Sequence, residues 1–232
     1  MTKNILKGKR THDDFYLKEK TKVKEYYKFI ISKVSKNFDN KDVLDIGCAT
    51  GDFLRYIKNT YPNSNLYGAE INKNLYKVLT KKKFIKKAYN IDILGKKKIG
   101  KFDYIFMLGV HSIFDDLYLV LKKLKTLKKN KNSKIFIFGI WNPFDVDVFV
   151  RLKKKNSNTL EKGWNVFSLW SLRQFLKKLK LKYTIFRFNL KIKIIRNKAD
   201  PLRSWTLSYK KNKNIVINGS NIIHHFYLIE IR

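Results

Sequence analysis

Asp42-Val43-Leu44-Asp45-Ile46-Gly47-Cys48-Ala49-Thr50-Gly51 is the stretch that decides how the rest of the chain is read. Its first half, apolar and closing on Ile46, has the length and branching of a short buried strand. A tight turn bounded by Gly47 and Gly51 follows, and then Phe53, Leu54 and Ile57 recur at the spacing of one helix face. Glycine has no side chain to hold a ligand away, and the first turn of a helix presents N–H groups without intrahelical partners. A strand, a glycine turn and a helix in that order make a backbone device for approaching a ligand closely. By itself the device also suits a dinucleotide site or a simple tight connection.

Working outward, Val23, Tyr27, Ile30 and Val34 predict a helix before this strand, behind a polar, loose start at residues 1–12. After the turn Tyr61-Pro62-Asn63-Ser64, a second strand is expected from Asn65 to Ile71, a helix around Asn74–Leu79 and a third strand near Phe84–Tyr89. Phe102-Asp103 introduces a fourth strand at Tyr104–Leu108, and Lys134–Phe138 reads as a fifth. Between these two, Leu117, Leu121 and Leu124 mark a helix; Leu172, Phe175, Leu176 and Leu179 mark another near 169–180. Strands alternating with helices predict an α/β fold, a doubly wound and mostly parallel sheet. The last fifty residues break the rhythm with strand-like runs at 183–190, 205–209, 215–218 and 222–231 and a hairpin tip at 210–214.

The net charge of +34 points toward a polyanion or an anionic surface. Two features temper that reading. Only eight of the 52 basic residues are Arg, whose planar fork makes the bidentate base contacts that Lys cannot. The lysine-rich runs at 81–83, 96–98, 122–131, 153–155 and 210–213 are also spread along the whole chain, and the matching wealth of Asn and Ile fits A/T-rich codons. A generally basic, solvated surface is the reading; nucleic acid stays open as a partner without being favoured. Cys48 is the only cysteine, which excludes an intrachain disulfide and a cysteine metal cluster, and no metal ligands are assigned. No apolar run reaches the length of a membrane span, and the basic start lacks the apolar stretch of a secretory signal. A soluble, cytoplasmic setting is expected, with oligomeric state left open.

Glu70 ends the second strand 19 residues after Gly51, where a carboxylate can accept both hydroxyls of a ribose. Asp92 follows the third strand, and Gly109-Val110-His111 closes the fourth. The run Val43–Gly51 resembles the first motif of class I S-adenosylmethionine (SAM)-dependent methyltransferases, and Glu70, Asp92 and Phe102-Asp103-Tyr104-Ile105 fall where that superfamily has its later motifs. The resemblance covers about residues 40–140. It implies a Rossmann-like seven-stranded sheet with a reversed last strand, SAM as methyl donor and S-adenosylhomocysteine as product. It also implies Asp45 and Gly47 at the methionine part, Glu70 at the ribose, and Asp92 with Ile93 at the adenine, with Cys48, Ala49, Gly51, Ile71 and Leu108 completing the cofactor set. Ala49 stands where the motif usually has its central glycine. A dinucleotide-binding dehydrogenase fits less well, because the loop lacks the Gly-x-Gly-x-x-Gly spacing. The chain then divides as one domain: a helical cap at 1–39, a SAM-binding half at 40–140, and a substrate-side half at 141–232 with a C-terminal β-hairpin.

Methyl transfer needs an aligned nucleophile and, for a hydroxyl, a base. His111, at the carboxyl end of the fourth strand, is the candidate. Transfer to a pyrimidine C5 requires a cysteine nucleophile, and Cys48 lies inside the turn. Methylation of a base amino group typically uses an Asn/Asp-Pro-Pro-aromatic motif after the fourth strand, which here ends in Leu108-Gly109-Val110-His111. The later region is rich in aromatic and polar residues: Trp141, Asn142 and Asp145, then Trp164, then Arg203 and Trp205, then His224 and His225. Aromatic faces beside amides and carboxylates suit sugars, through stacking and hydrogen bonds to hydroxyls. The same region loosely resembles methyltransferases of bacterial surface-polysaccharide gene clusters. The leading expectation is O-methylation of a small polar, sugar or sugar-nucleotide acceptor. An RNA hydroxyl methyltransferase and a non-catalytic SAM-binding protein are the alternatives.

Overall fold

The computed structural model describes residues 14–17, 23–34, 37–153, 160–198, 203–210, 213–220 and 222–232. Five strand-and-helix steps open the fold: α1 (Glu25–Lys33), β1 (Asp42–Ile46), α2 (Asp52–Thr60), β2 (Asn65–Glu70), α3 (Lys73–Thr80), β3 (Lys87–Asn90), β4 (Tyr104–Leu108), α4 (Leu117–Thr126) and β5 (Lys134–Ile140). A small ribbon of β6 (Arg151–Lys153) and β7 (Leu160–Lys162) precedes α5 (Leu169–Lys178) and β8 (Tyr183–Phe188). The chain ends with the antiparallel pair β9 (Trp205–Lys210) and β10 (Lys213–Ile217), then β11 (Phe226–Ile231).

The seven-stranded sheet has the order β3-β2-β1-β4-β5-β11-β8. Every pairing is parallel except those of β11, which runs antiparallel to both β5 and β8. The expected mostly parallel α/β sheet with a reversed last strand is what forms. Successive strand residues point to opposite faces, so Leu44, Ile105, Met107 and Ile137 pack on one side with α4 and α5. Val43, Leu66, Phe106 and Phe136 pack on the other with α1 and α2. Both faces are covered, which is why the strands read as apolar runs rather than alternating ones.

Some boundaries differ from the sequence reading. β3 is Lys87–Asn90 rather than 84–89, because Phe84 and Ile85 serve as packing residues of the turn against the second core face. The first helix starts at Glu25, leaving Val23 outside it and exposed. The last strand starts only at Phe226, since His224 donates its N–H to Val216 of the hairpin instead. The ribbon β6–β7, three residues a strand, was too short to leave a pattern. Residues 1–12, Lys154 and Lys155, and Lys211 and Asn212 of the expected hairpin tip lie outside the described residues. Among the described residues, no helix is long and apolar enough to cross a membrane.

Two consequences of this topology position a site. The chain moves from β1 to one side of the sheet and then switches to β4, opening a crevice at the carboxyl ends of these two strands. The segments 141–168 and 189–225 both begin and end at that same edge, because Ile140, Phe188 and Phe226 share one register row.

Candidate active site

The turn after β1 takes its shape from three left-handed residues, Gly47 (φ 69°), Ala49 (φ 49°) and Gly51 (φ 84°). At Gly47 the need is also spatial, since a Cβ there would collide with Val110 Cγ2 of the loop after β4. Backbone bonds pin the turn: Gly47 N–H donates to Ala69 O at 2.7 Å, and Gly51 N–H to Cys48 O at 2.9 Å. The side chains of Asn72, Asp116 and Ser168 cap α3, α4 and α5. α2 has no such cap, so its first N–H groups face the crevice without a side chain across them.

Glu70 ties the second strand end to the turn. Its carboxylate accepts from Ala49 N–H and from Asn72 N–H, both at 2.9 Å, and the residue is buried. Each carboxylate oxygen can accept twice. Asn90 donates to Glu70 O and Ile71 O, which leaves the Ile71 side chain exposed beside the carboxylate. Asp92 closes its own loop through Leu94 N–H, with Ile93 buried beneath.

Asp45 is the most unusual group here. It is buried, and its Oδ1 has no hydrogen-bond partner. Burial, with the nearby Glu70 charge adding to it, holds its pKa well above the carboxylate range, against a smaller pull from Lys24. Lys24 was not singled out in the sequence. Its ammonium bonds Tyr26 Oη at 3.2 Å and lies within 6 Å of the rings of Tyr16, Tyr26 and Tyr27. Arg203 stacks on the far partner of this group, its guanidinium 5.8 Å from the Tyr16 ring. A cation between aromatic faces next to a buried carboxylate is a tertiary arrangement, and nothing in the spacing of these residues announces it.

On the acceptor side the structure separates the expected residues into two groups. His111 and Trp141 are fully buried and stacked face to face, centroids 4.3 Å apart. His111 Nε2 donates to Ile140 O at 3.1 Å, leaving Nδ1 as the unprotonated nitrogen. Asn142 bonds Val146 O and Phe144 N–H, and so shapes its own loop, in which Asp145 is exposed. Of the second group, Trp164 and His224 line a crevice above β5, together with Asn165, Asn218 and Ser220 among others. Ser204 Oγ, between Arg203 and Trp205 in the chain, bonds His224 Nδ1 at 3.1 Å. His225 is half-buried, and its carbonyl accepts from Trp141 N–H. The crevice is narrow, with about 10 Å³ of room, on the scale of one water molecule. A larger cleft of about 540 Å³ opens at the opposite end of the sheet, where Asp103 accepts from Asp42 N–H and Lys129.

A family model described as a methyltransferase domain matches residues 19–184. The chain belongs to that methyltransferase family. It is a class I SAM-dependent methyltransferase, and the strand order and the glycine turn just described carry the same conclusion. The sequence matches no curated protein. Precorrin-6y C5,15-methyltransferase of Geobacter metallireducens is similar in structure at 14% identity and a TM-score of 0.53, over 90% of this chain and 87% of that one. The YcgJ protein of Bacillus subtilis has a TM-score of 0.59 at 12% identity, over 88% and 96%. An O-methyltransferase of a trans-AT PKS multienzyme of Brevibacillus brevis, solved with S-adenosyl-L-homocysteine, has 0.55 at 15%, over 69% and 54%. At such identities the likeness is one of fold.

The methyltransferase should lose stability in mild acid through His111. Burial lowers its pKa from 6.5 to about 4, so the unfolded chain binds the proton first. The stabilisation is complete above 6.5 and is lost as the pH falls toward 4, about 3 kcal/mol at most for this residue. Denaturant titrations at pH 7.5 and 4.5 should show a smaller pH difference for His111→Gln than for the parent chain. An equal difference would remove His111 from the account.

Proposed function

We propose that the methyltransferase transfers the methyl group of SAM to a hydroxyl of a small polar or sugar-bearing acceptor. The observation that carries the acceptor side is the crevice, where one indole, Trp164, meets the amide of Asn218, the hydroxyl of Ser220 and the imidazole of His224. An aromatic face among hydroxyl-bonding groups is the chemistry that a sugar ring needs.

SAM fits the residues at the turn. Asp45 Oδ1, buried and unpartnered, suits the ammonium of the methionine part, and Lys24 suits its carboxylate. Gly47 and Gly51 let the backbone close on the tail. Glu70 suits the ribose hydroxyls, and the exposed Ile71 with Asp92 and Ile93 suits the adenine. When bound, SAM supplies an electrophilic methyl on a sulfonium. Cys48, Ala49 and Leu108 complete the wall.

Asp45 gives this reading a pH signature. An ammonium favours the charged carboxylate, whose pKa the fold raises, so SAM affinity should rise with pH through that pKa and weaken below it. Asp45→Asn should weaken SAM binding by roughly ten- to a hundredfold and flatten the pH dependence measured by calorimetry. Unchanged affinity and slope would put the ammonium elsewhere.

His224 is the imidazole we assign to the acceptor proton, and His111 to holding the floor between Val110 and Ile140. Burial lowers the His224 pKa to about 4, so its imidazole is neutral at physiological pH. His224→Ala should cut turnover about a hundredfold with SAM affinity retained. The assay is labelled SAM against panels of sugar nucleotides, glycosides and RNA. Transfer to RNA alone, or full activity in His224→Ala, overturns the corresponding half of the proposal.

A further inference from the structure

The acceptor-side edge of the sheet has a second property, which concerns where the protein sits rather than what it methylates. Fourteen large apolar or aromatic side chains are exposed among the described residues. Eight of them lie in the two segments 141–168 and 189–225, which begin and end at the carboxyl end of the sheet. The most exposed are Ile195 (90%) and Phe144 (71%), with Val146, Phe149, Ile192 and Ile223 near them in the chain order of the two overhanging segments. A soluble protein spreads such residues over its surface, and their gathering on one edge marks something that covers it.

The basic residues say what covers it. Lys191-Ile192-Lys193-Ile194-Ile195-Arg196-Asn197-Lys198 interleaves apolar side chains with four cations and contains no acid. This segment is held at the edge, since Lys191 N–H donates to the Glu25 carboxylate and Thr206 brackets Ile194. Arg196 lies over the Trp205 ring at 5.1 Å. At the same edge, Asp115 pairs with Arg151, Asp116 caps α4, and Asp147 accepts from Ser168 and Ser171, so these three acids are taken up within the fold, while Asp145 stays exposed between Phe144 and Val146. At the opposite end the pattern differs: Lys129 pairs with Asp42 and Asp103, and Lys134 with Glu230.

We infer that the carboxyl edge of the sheet docks on an anionic lipid bilayer, with Phe144, Ile192 and Ile195 entering the headgroup boundary and Lys191, Lys193 and Lys198 beside the two isoleucines meeting lipid phosphates. Apolar tips carried on separate loops, with Lys191, Lys193 and Lys198 flanking the pair Ile192 and Ile195, match the interfacial mode of binding. A protein partner would instead favour Arg and few Lys at its centre. The acceptor crevice then opens toward the membrane, and the net charge of +34 acquires a direction. Docking is independent of which hydroxyl is methylated.

Charge alone draws so basic a chain to anionic vesicles, so the decisive variant changes no charge. Full-length protein is sedimented with vesicles of phosphatidylcholine containing one-third phosphatidylglycerol, and with phosphatidylcholine alone, at low and high salt. The expected result is binding to the anionic vesicles that salt weakens, and roughly tenfold weaker binding for the double variant Phe144→Ser/Ile195→Ser. Its thermal midpoint should match the parent's, because both side chains are exposed. Equal binding by the variant would mean that charge acts without the edge, and absence of binding by the parent would mean no docking; either overturns the inference. A dimer of the parent that the double variant dissociates would also overturn it, by assigning the edge to a second copy.

Discussion

Gly47→Arg should abolish the rise in melting temperature that saturating SAM produces. At a hundred times the dissociation constant, a ligand stabilises by about 2.7 kcal/mol, which in a chain of this size is roughly 5–10 °C. The variant loses this for two separate reasons. Its residue must adopt φ 69°, a left-handed conformation that costs an L-residue about 1–2 kcal/mol. Its Cβ must also displace Val110, and the rest of the arginine then fills the space through which the methionine part reaches Asp45. Differential scanning fluorimetry with and without SAM separates the effects: a lower baseline melting temperature reports strain, and a vanished shift reports the lost site. A variant that keeps the full shift would place the cofactor away from this turn.

Trp141→Ala carries the largest expected cost to stability, about 3–5 kcal/mol. The indole is fully buried, and its face is stacked on His111. Its removal leaves a cavity between the end of β5 and the loop after β4, at the junction of the two halves of the crevice. Gly139 leaves room for the edge of the same imidazole, since a Cβ there would collide with His111 Cε1. Losing the stacked indole frees the face of this ring. The melting temperature should fall by roughly 10 °C or more, and turnover should fall with it through the displaced wall. Trp141→Phe, which keeps a flat ring, should recover most of the stability. A loss below about 1 kcal/mol for Trp141→Ala would show that the core closes around the gap.

These two residues also mark the boundary of what sequence reading reaches. Gly47 could be interpreted from its neighbours alone, because a strand, a glycine turn and a helix leave their marks within about fifteen residues. Buried strands such as Tyr104–Leu108 declare themselves through a continuous apolar run, and helices through their period, so the sheet and the layers around it were readable. Trp141 was read as a residue for the acceptor, alongside Asn142, because composition says that an aromatic lies in a loop and not which way it faces. Asn165 shows the same limit. It donates to Phe114 O and Asp115 and accepts from Val150 N–H and Arg151, and so joins three loops that are far apart in the chain.

The amino-acid sequence by itself determined the α/β sheet, the position of the glycine turn and the acid at the end of the second strand. Each of these rests on local periodicity or on the conformational freedom of one residue type, and local physics is written locally. Tertiary structure alone decided that Lys24 and Tyr26 stand beside Asp45, that His224 and not His111 borders the crevice, and that Phe144, Ile192 and Ile195 stay exposed on the two segments at the carboxyl end of the sheet. Those facts depend on which ends of the strands share a register row and on which side chains remain for solvent once both faces of the sheet are packed. No spacing along the chain encodes that, because the contacts are made between segments whose separation in sequence carries no period.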